Sequence, residues 1–188
     1  MTETTDPKEE GPEYVFNVIV LGDGAVGKTS LVRHFCEGFF QEHYKVTLGV
    51  ECLKKKVSFR PAPDRPPVPV TLMVWDVAGQ HKFAFMRANY YSHAQGALIL
   101  FDVTNLHTFA HLADWKEELQ QARPGVPFVV VGNKIDLKHE HEDVERRLAH
   151  LAGQFGVDYI FASAKLGTGM NEAFDAIVGK IYSREAGR

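Results

Sequence analysis

The nine residues "GDGAVGKTS", 22–30, follow the apolar run "YVFNVIVL" and precede "LVRHF". They fit the pattern G-x-x-x-x-G-K-S/T, with Gly22, Gly27, Lys28 and Thr29 at its fixed positions. Each type has a chemical reason. Glycines let a backbone wrap close round a phosphate chain, where a Cβ would obstruct it. The amides of Asp23, Gly24, Ala25, Val26, Gly27, Lys28, Thr29 and Ser30 can then converge on phosphate oxygens at a helix N-terminus, where partial positive charge collects. Lys28 adds a full charge for the β- and γ-phosphates, and Thr29 offers a hydroxyl to Mg²⁺. The competing reading is a ligand-free strand-to-helix turn. The motif by itself names neither the base nor the reaction.

A second motif speaks to the base. "VVVGNKIDL" places Asn133, Lys134 and Asp136 just past an apolar run. Guanine presents two adjacent donors on one edge, and a single carboxylate, Asp136, can accept from both. Adenine lacks that pair and would leave the carboxylate unsatisfied, at about 1–3 kcal/mol or more. The stem of Lys134 can cover one face of the base, and Asn133 can tie this loop to the phosphate loop. "ASAK", 162–165, follows the next apolar run. Its Ser163, Ala164 and Lys165 can supply backbone N–H groups to the guanine oxygen and a brace for the loop.

Elements of a definite kind must position these loops. "YVFNVIVL", "ALILFDV", "FVVVG" and "VDYIFAS" are almost continuously apolar, as strands buried on both faces are. Amphipathic segments alternate with them. Phe109, Leu112 and Leu119 share one helical face; Val144, Leu148, Leu151 and Phe155 share another, with Gly156 placed to end it. This alternation predicts a parallel sheet with helices on both faces. "VTLGVECLKKKVSFR" and "PVTLMVWDV" have no helix between them, only "PAPDRPPVP". They should pair as an antiparallel hairpin with a stiff exposed tip. A proline-rich ligand for another domain is the weaker reading of that tip.

The 188 residues suit one domain, over about 14–183, with tails at 1–13 and 184–188. The net charge of −3 argues against broad attraction to nucleic acid. Cys36 and Cys52 make neither a metal spacing nor a disulfide framework and fit a reducing, cytoplasmic setting. No apolar run approaches a membrane span. "MTETTDPKEEGPEY" lacks signal-peptide features, Thr2 excludes a myristoyl-glycine signal, and "YSREAGR" carries no prenyl acceptor. Membrane association is therefore expected only through a partner or a tail not evident in this chain.

The ordered boxes "GDGAVGKT", Thr47 in "YKVTLGVE", "WDVAGQ", "NKID" and "SAK" resemble those of the Ras-superfamily small GTPases. "TLGVE", "YYSHAQGALILFDVTN" and Trp75 before Asp76 point to the Rab branch. The resemblance covers about Val15 to Tyr182. It implies an α/β P-loop GTPase domain with a six-stranded, mostly parallel sheet, one antiparallel strand and five helices. It also implies bound GTP or GDP with Mg²⁺, and two switch segments that meet effector, exchange and activating proteins through Phe39–Glu51 and Trp75–Tyr91. By the same resemblance Thr47 joins Thr29 on Mg²⁺, Asp76 reaches the metal through water, Phe40 leans on the guanine and Tyr44 closes over the phosphates. Gly79 then offers its N–H to the γ-phosphate, and Gln80 orients the attacking water; with Lys28 these are the catalytic candidates. Arg33 and Arg87 read as surface residues, so no intrinsic arginine finger is expected and unaided hydrolysis should be slow. The implied function is a timed switch in trafficking or signalling.

Two positions depart from the family. His81 stands where glutamate is usual, which bears on nucleotide exchange, and Cys52 replaces an aromatic of the effector-facing trio. "KHEHED", 138–143, reads as a solvated helix start rather than a metal site. His34, His43, His93, His107, His111 and His150 show no triad spacing. A non-hydrolysing nucleotide scaffold and a nucleoside kinase are the competing classes; intact Lys28, Thr47 and Gln80 oppose the first, and "NKID" opposes the second.

Overall fold

The computed structural model describes residues 13–40, 47, 49–79, 84–137 and 141–186. Tyr44, Gln80 and His81 lie outside them. The strands are β1 (Tyr14–Gly22), β2 (Val50–Phe59), β3 (Val68–Val77), β4 (Gly96–Asp102), β5 (Phe128–Asn133) and β6 (Tyr159–Ala162). The helices are α1 (Lys28–Glu37), α2 (Ala84–Tyr91), α3 (Leu106–Ala110), α4 (Leu112–Ala122), α5 (His141–Phe155) and α6 (Met170–Ala186). The described residues thus hold six helical segments rather than the five implied by resemblance, because 106–122 divides at His111. Helix α6 also runs through 184–186, where the sequence was read as a tail.

The strands form one sheet in the order β2-β3-β1-β4-β5-β6. Only the β2–β3 pair is antiparallel. The prolines of 61–69 leave the tip of that hairpin with few donors, and it closes through Arg65 N–H to the Ala62 carbonyl. Strand period two divides the apolar residues between two cores. Val18, Val20, Leu98, Leu100, Val129 and Val131 pack against Leu31 and Phe35 of α1 and Phe174 and Ile177 of α6. Ile19, Leu21, Ile99, Phe101 and Val130 pack against Tyr91, Trp115, Leu119 and Leu148 on the other face. Burial on both faces explains why these strands show continuous apolar runs.

Glu13, assigned to a tail from sequence, is tied in: its carboxylate accepts from Thr71 Oγ1 at 2.7 Å and lies 3.3 Å from Lys56. The parallel strands all end at one edge, so the loops after β1, β3, β4, β5 and β6 are neighbours, as ligand-binding loops of open α/β sheets are.

Candidate nucleotide site

Gly22 closes β1, and the chain turns through residues 23–27 into α1. Ala25 and Gly27 both take left-handed backbone, at φ 65° and 96°. A Cβ at Gly27 would run into Asn133 Nδ2, so only glycine fits. Helix α1 then begins without a side-chain cap and without an acid in its first turn. Such a terminus leaves N–H groups to an anion. Lys28 is buried at 6 % exposure. Its Nζ donates to the carbonyls of Gly22 at 2.7 Å and Asp23 at 2.6 Å. Burial lowers it to about 8, opposed by the charges of Asp76 and Asp23.

Three oxygens from three segments meet beside this lysine. Thr29 Oγ1 lies 2.8 Å from Thr47 Oγ1 and donates to Asp76 Oδ2 at 2.5 Å. Asp76 is fully buried, and its Oδ1 has no hydrogen-bond partner. Burial pushes its carboxyl above the usual range, against the Thr29 hydrogen bond and the Lys28 charge. Two hydroxyls and a carboxylate with an orphaned oxygen are a hard-oxygen set that fits Mg²⁺. Gly79 follows on the same loop. A Cβ there would strike the Gly22 carbonyl and Lys28 Nζ, so the chain after β3 lies directly on the phosphate loop.

The base loops are joined by buried hydrogen bonds. Asn133 Nδ2 donates to the Val26 carbonyl at 2.8 Å, and its Oδ1 accepts from Ala164 N–H at 3.0 Å. Ser163 Oγ donates to Asp136 Oδ1 at 2.6 Å. Lys134 holds left-handed backbone, φ 73°, and its Nζ pairs with Asp102 Oδ2 at 2.6 Å. Asp102 is in turn fixed by Thr104, whose N–H and Oγ1 both donate to Oδ1. Phe40 is half-buried and packs against the α1–α6 core. Lys165 is exposed.

Several residues that sequence reasoning passed over join this site. His34 Nδ1 donates to the Ala164 carbonyl at 2.6 Å. His111 and Trp115 both donate to the Asp23 carboxylate. Asp102 stands in "FDVTN", but its ion pair with Lys134 has no local signal.

Arg87 requires a correction. It is not a surface residue but, among the described residues, the largest fully buried side chain, 1 % exposed. Its Nε and Nη2 donate to Glu118 at 2.8 and 2.9 Å, Nη1 reaches the Ala78 carbonyl at 3.3 Å, and the guanidinium lies 4.6 Å from the Trp115 ring. Tyr91 Oη adds a third bond to Glu118 at 2.7 Å. Arg33 is half-buried and paired with Glu51 at 2.9 Å, joining α1 to β2.

Comparison with known proteins supports what this geometry describes. The Ras family model matches residues 17–183. The chain is 37 % identical over 171 residues to Ras-related protein RABG3f of Arabidopsis thaliana, covering 87 % of this chain and 80 % of that protein. It is 36 % identical over 179 residues to Ras-related protein Rab7 of Cenchrus ciliaris, covering 91 % and 84 %. It is 32 % identical over 177 residues to Ras-related protein Rab-11C of Dictyostelium discoideum, covering 94 % and 76 %. The match over residues 17–183, on a sheet of this order and with relatives of this identity and coverage, makes the chain a member of the Ras family, a small GTPase with Rab proteins among its relatives.

Proposed function

We propose that this GTPase holds its nucleotide between the phosphate loop and the 133–136 and 163–165 loops, with Rab-like trafficking as its setting. The observation that carries this reading is the convergence of Thr29, Thr47 and Asp76 on one point beside buried Lys28. Amides of residues 23–30 bind the phosphates, and Asp136 reads the guanine edge. Ser163 orients that carboxylate, and Asp102 holds Lys134 across the base. Lys28 leaves its two carbonyls when a phosphate chain offers a stronger acceptor.

Thr29 and Thr47 are the direct Mg²⁺ ligands in this reading, and Asp76 acts through water. When bound, the metal neutralises charge on the phosphates. The chain's own part is to place a water and hold the γ-phosphoryl group. Gly79 donates its N–H, and Gln80 orients the water. Arg87 is engaged by Glu118 and Ala78 and Arg33 by Glu51, so in this reading neither serves the reaction. A partner's arginine then accelerates hydrolysis by roughly 10³–10⁵. Loss of the γ-phosphate frees Thr47 and Gly79, and the two segments change the surface offered to effector, exchange and activating proteins. Among the described residues no helix is long and apolar enough to cross a membrane. Peripheral attachment from the cytoplasmic side, through a partner or a lipidated tail, is the arrangement we propose.

The test is multiple-turnover phosphate release from GTP, with ATP beside it, for wild type, Gln80→Leu and Asp136→Asn. GTP alone should be turned over, slowly. Gln80→Leu should fall below wild type, and Asp136→Asn should shift preference toward xanthosine triphosphate. Equal rates for wild type and Gln80→Leu would remove Gln80 from its role. Unchanged guanine preference would do the same for Asp136.

A further inference from the structure

The phosphate loop carries a feature that works against its ligand. Asp23 brings a carboxylate into a loop otherwise built to attract anions. Both carboxylate oxygens are taken up, one by α4 and one by His111, the residue before it. Trp115 Nε1 donates to Oδ1 at 2.7 Å, and His111 Nδ1 donates to Oδ2 at 2.6 Å. The two donors differ in kind. Trp115 is buried, neutral and covered by the Arg87 guanidinium. His111 stands where the 106–122 helix divides, with its side chain 43 % exposed, and it alone of the two can carry charge.

We infer that His111 is a positioning residue for the phosphate loop: as imidazolium it cancels the Asp23 charge and holds that carboxylate on α4, which slows nucleotide release. Neutral His111 keeps the hydrogen bond through Nδ1–H but leaves Asp23 uncompensated beside the phosphates. Among the described residues, four charged groups bear on the pair. Asp23 faces His111 from the phosphate loop and Asp114 from its own helix. Lys28 bonds the Asp23 carbonyl from α1, and Arg87 lies across Trp115 from α2. The hydrogen bond and charge of Asp23 hold the His111 imidazolium above its ordinary 6.5, outweighing burial. Charge compensation is therefore complete below about 6.5 and fades as pH rises through that raised value.

The inference rests on the nucleotide reading above, and its experiment separates the two. Release of a fluorescent GDP analogue, chased with excess GDP at fixed Mg²⁺, is followed from pH 6 to 9 in wild type, His111→Asn, Asp23→Asn and the double variant. Asn keeps a neutral donor and does not titrate. At pH 6, His111→Asn should release about two- to fivefold faster than wild type, the range expected of a partly exposed ion pair. The two rates should converge near pH 9. Lys28 and the phosphates titrate in every variant, so the His111 contribution is the difference between profiles. In the Asp23→Asn background that difference should vanish. Parallel profiles for wild type and His111→Asn, or a difference that survives Asp23→Asn, would overturn the inference while leaving nucleotide binding intact. No binding by any of the four would overturn the nucleotide reading and this inference with it.

Discussion

Replacing Glu118 by alanine should destabilise this protein more than replacing Arg87, although Arg87 is the larger and more buried of the two. Glu118 receives Arg87 Nε and Nη2 and Tyr91 Oη at 2.7–2.9 Å. Removing it takes two hydrogen bonds from a guanidinium that is 1 % exposed and that keeps, among the described contacts, the Ala78 carbonyl and the Trp115 face. Orphaning one member of a buried pair costs about 3–5 kcal/mol. The Glu118 side chain is 34 % exposed, so water can enter in its place, and we expect about 2–3 kcal/mol. At about 2–4 °C per kcal/mol for a chain of this size, Tm falls by about 4–12 °C. Arg87→Met keeps an apolar stem against Trp115 and leaves Glu118 with Tyr91 and solvent, at about 1 kcal/mol. The double variant should be more stable than Glu118→Ala alone, because it contains no orphaned charge. Urea unfolding at one fixed, saturating GDP concentration measures all four proteins, since bound nucleotide itself contributes stability. Strictly additive single costs, or a Glu118→Ala cost below about 1 kcal/mol, would refute the coupling.

Two further outcomes follow from buried groups. Asn133→Ala orphans the Val26 carbonyl and the Ala164 N–H, each worth about 1–3 kcal/mol when buried; GDP release should quicken about ten- to hundredfold in a stopped-flow chase, and an unchanged rate would deny the loop tie. Burial pushes the Cys36 thiol up to about 11, whereas Cys52 is exposed. In Cys52→Ser protein, iodoacetamide should modify Cys36 slowly at pH 8, and about tenfold faster per pH unit until about 11, as its thiolate fraction grows. Mass spectrometry of timed samples reads this, and fast labelling at pH 8 would contradict it.

The parts of this protein legible in its sequence are those made by neighbours in the chain. The phosphate loop is consecutive backbone amides plus one lysine and one threonine, so its pattern is complete within nine letters. The strands announce themselves because a strand buried on both faces must be apolar throughout, and the prolines of 61–69 mark the hairpin tip by denying donors. "NKID" and "SAK" are legible for the same local reason.

What only the tertiary structure decides are pairings set by how helices lie on the sheet. Arg87 looked like a surface residue because a charged side chain on an amphipathic segment is usually solvated. The packing of α2 against α4 instead places Glu118, 31 positions away, directly opposite it. Asp23 meets His111 and Trp115 across 88 and 92 positions. No periodicity in the chain encodes that meeting: it requires α4 to lie over the end of β1 at one register. Sequence therefore determined which chemistry the loops contain. The fold decided which distant side chains fix those loops in place, because a charge in a low-dielectric interior is stable only where the packing brings its partner.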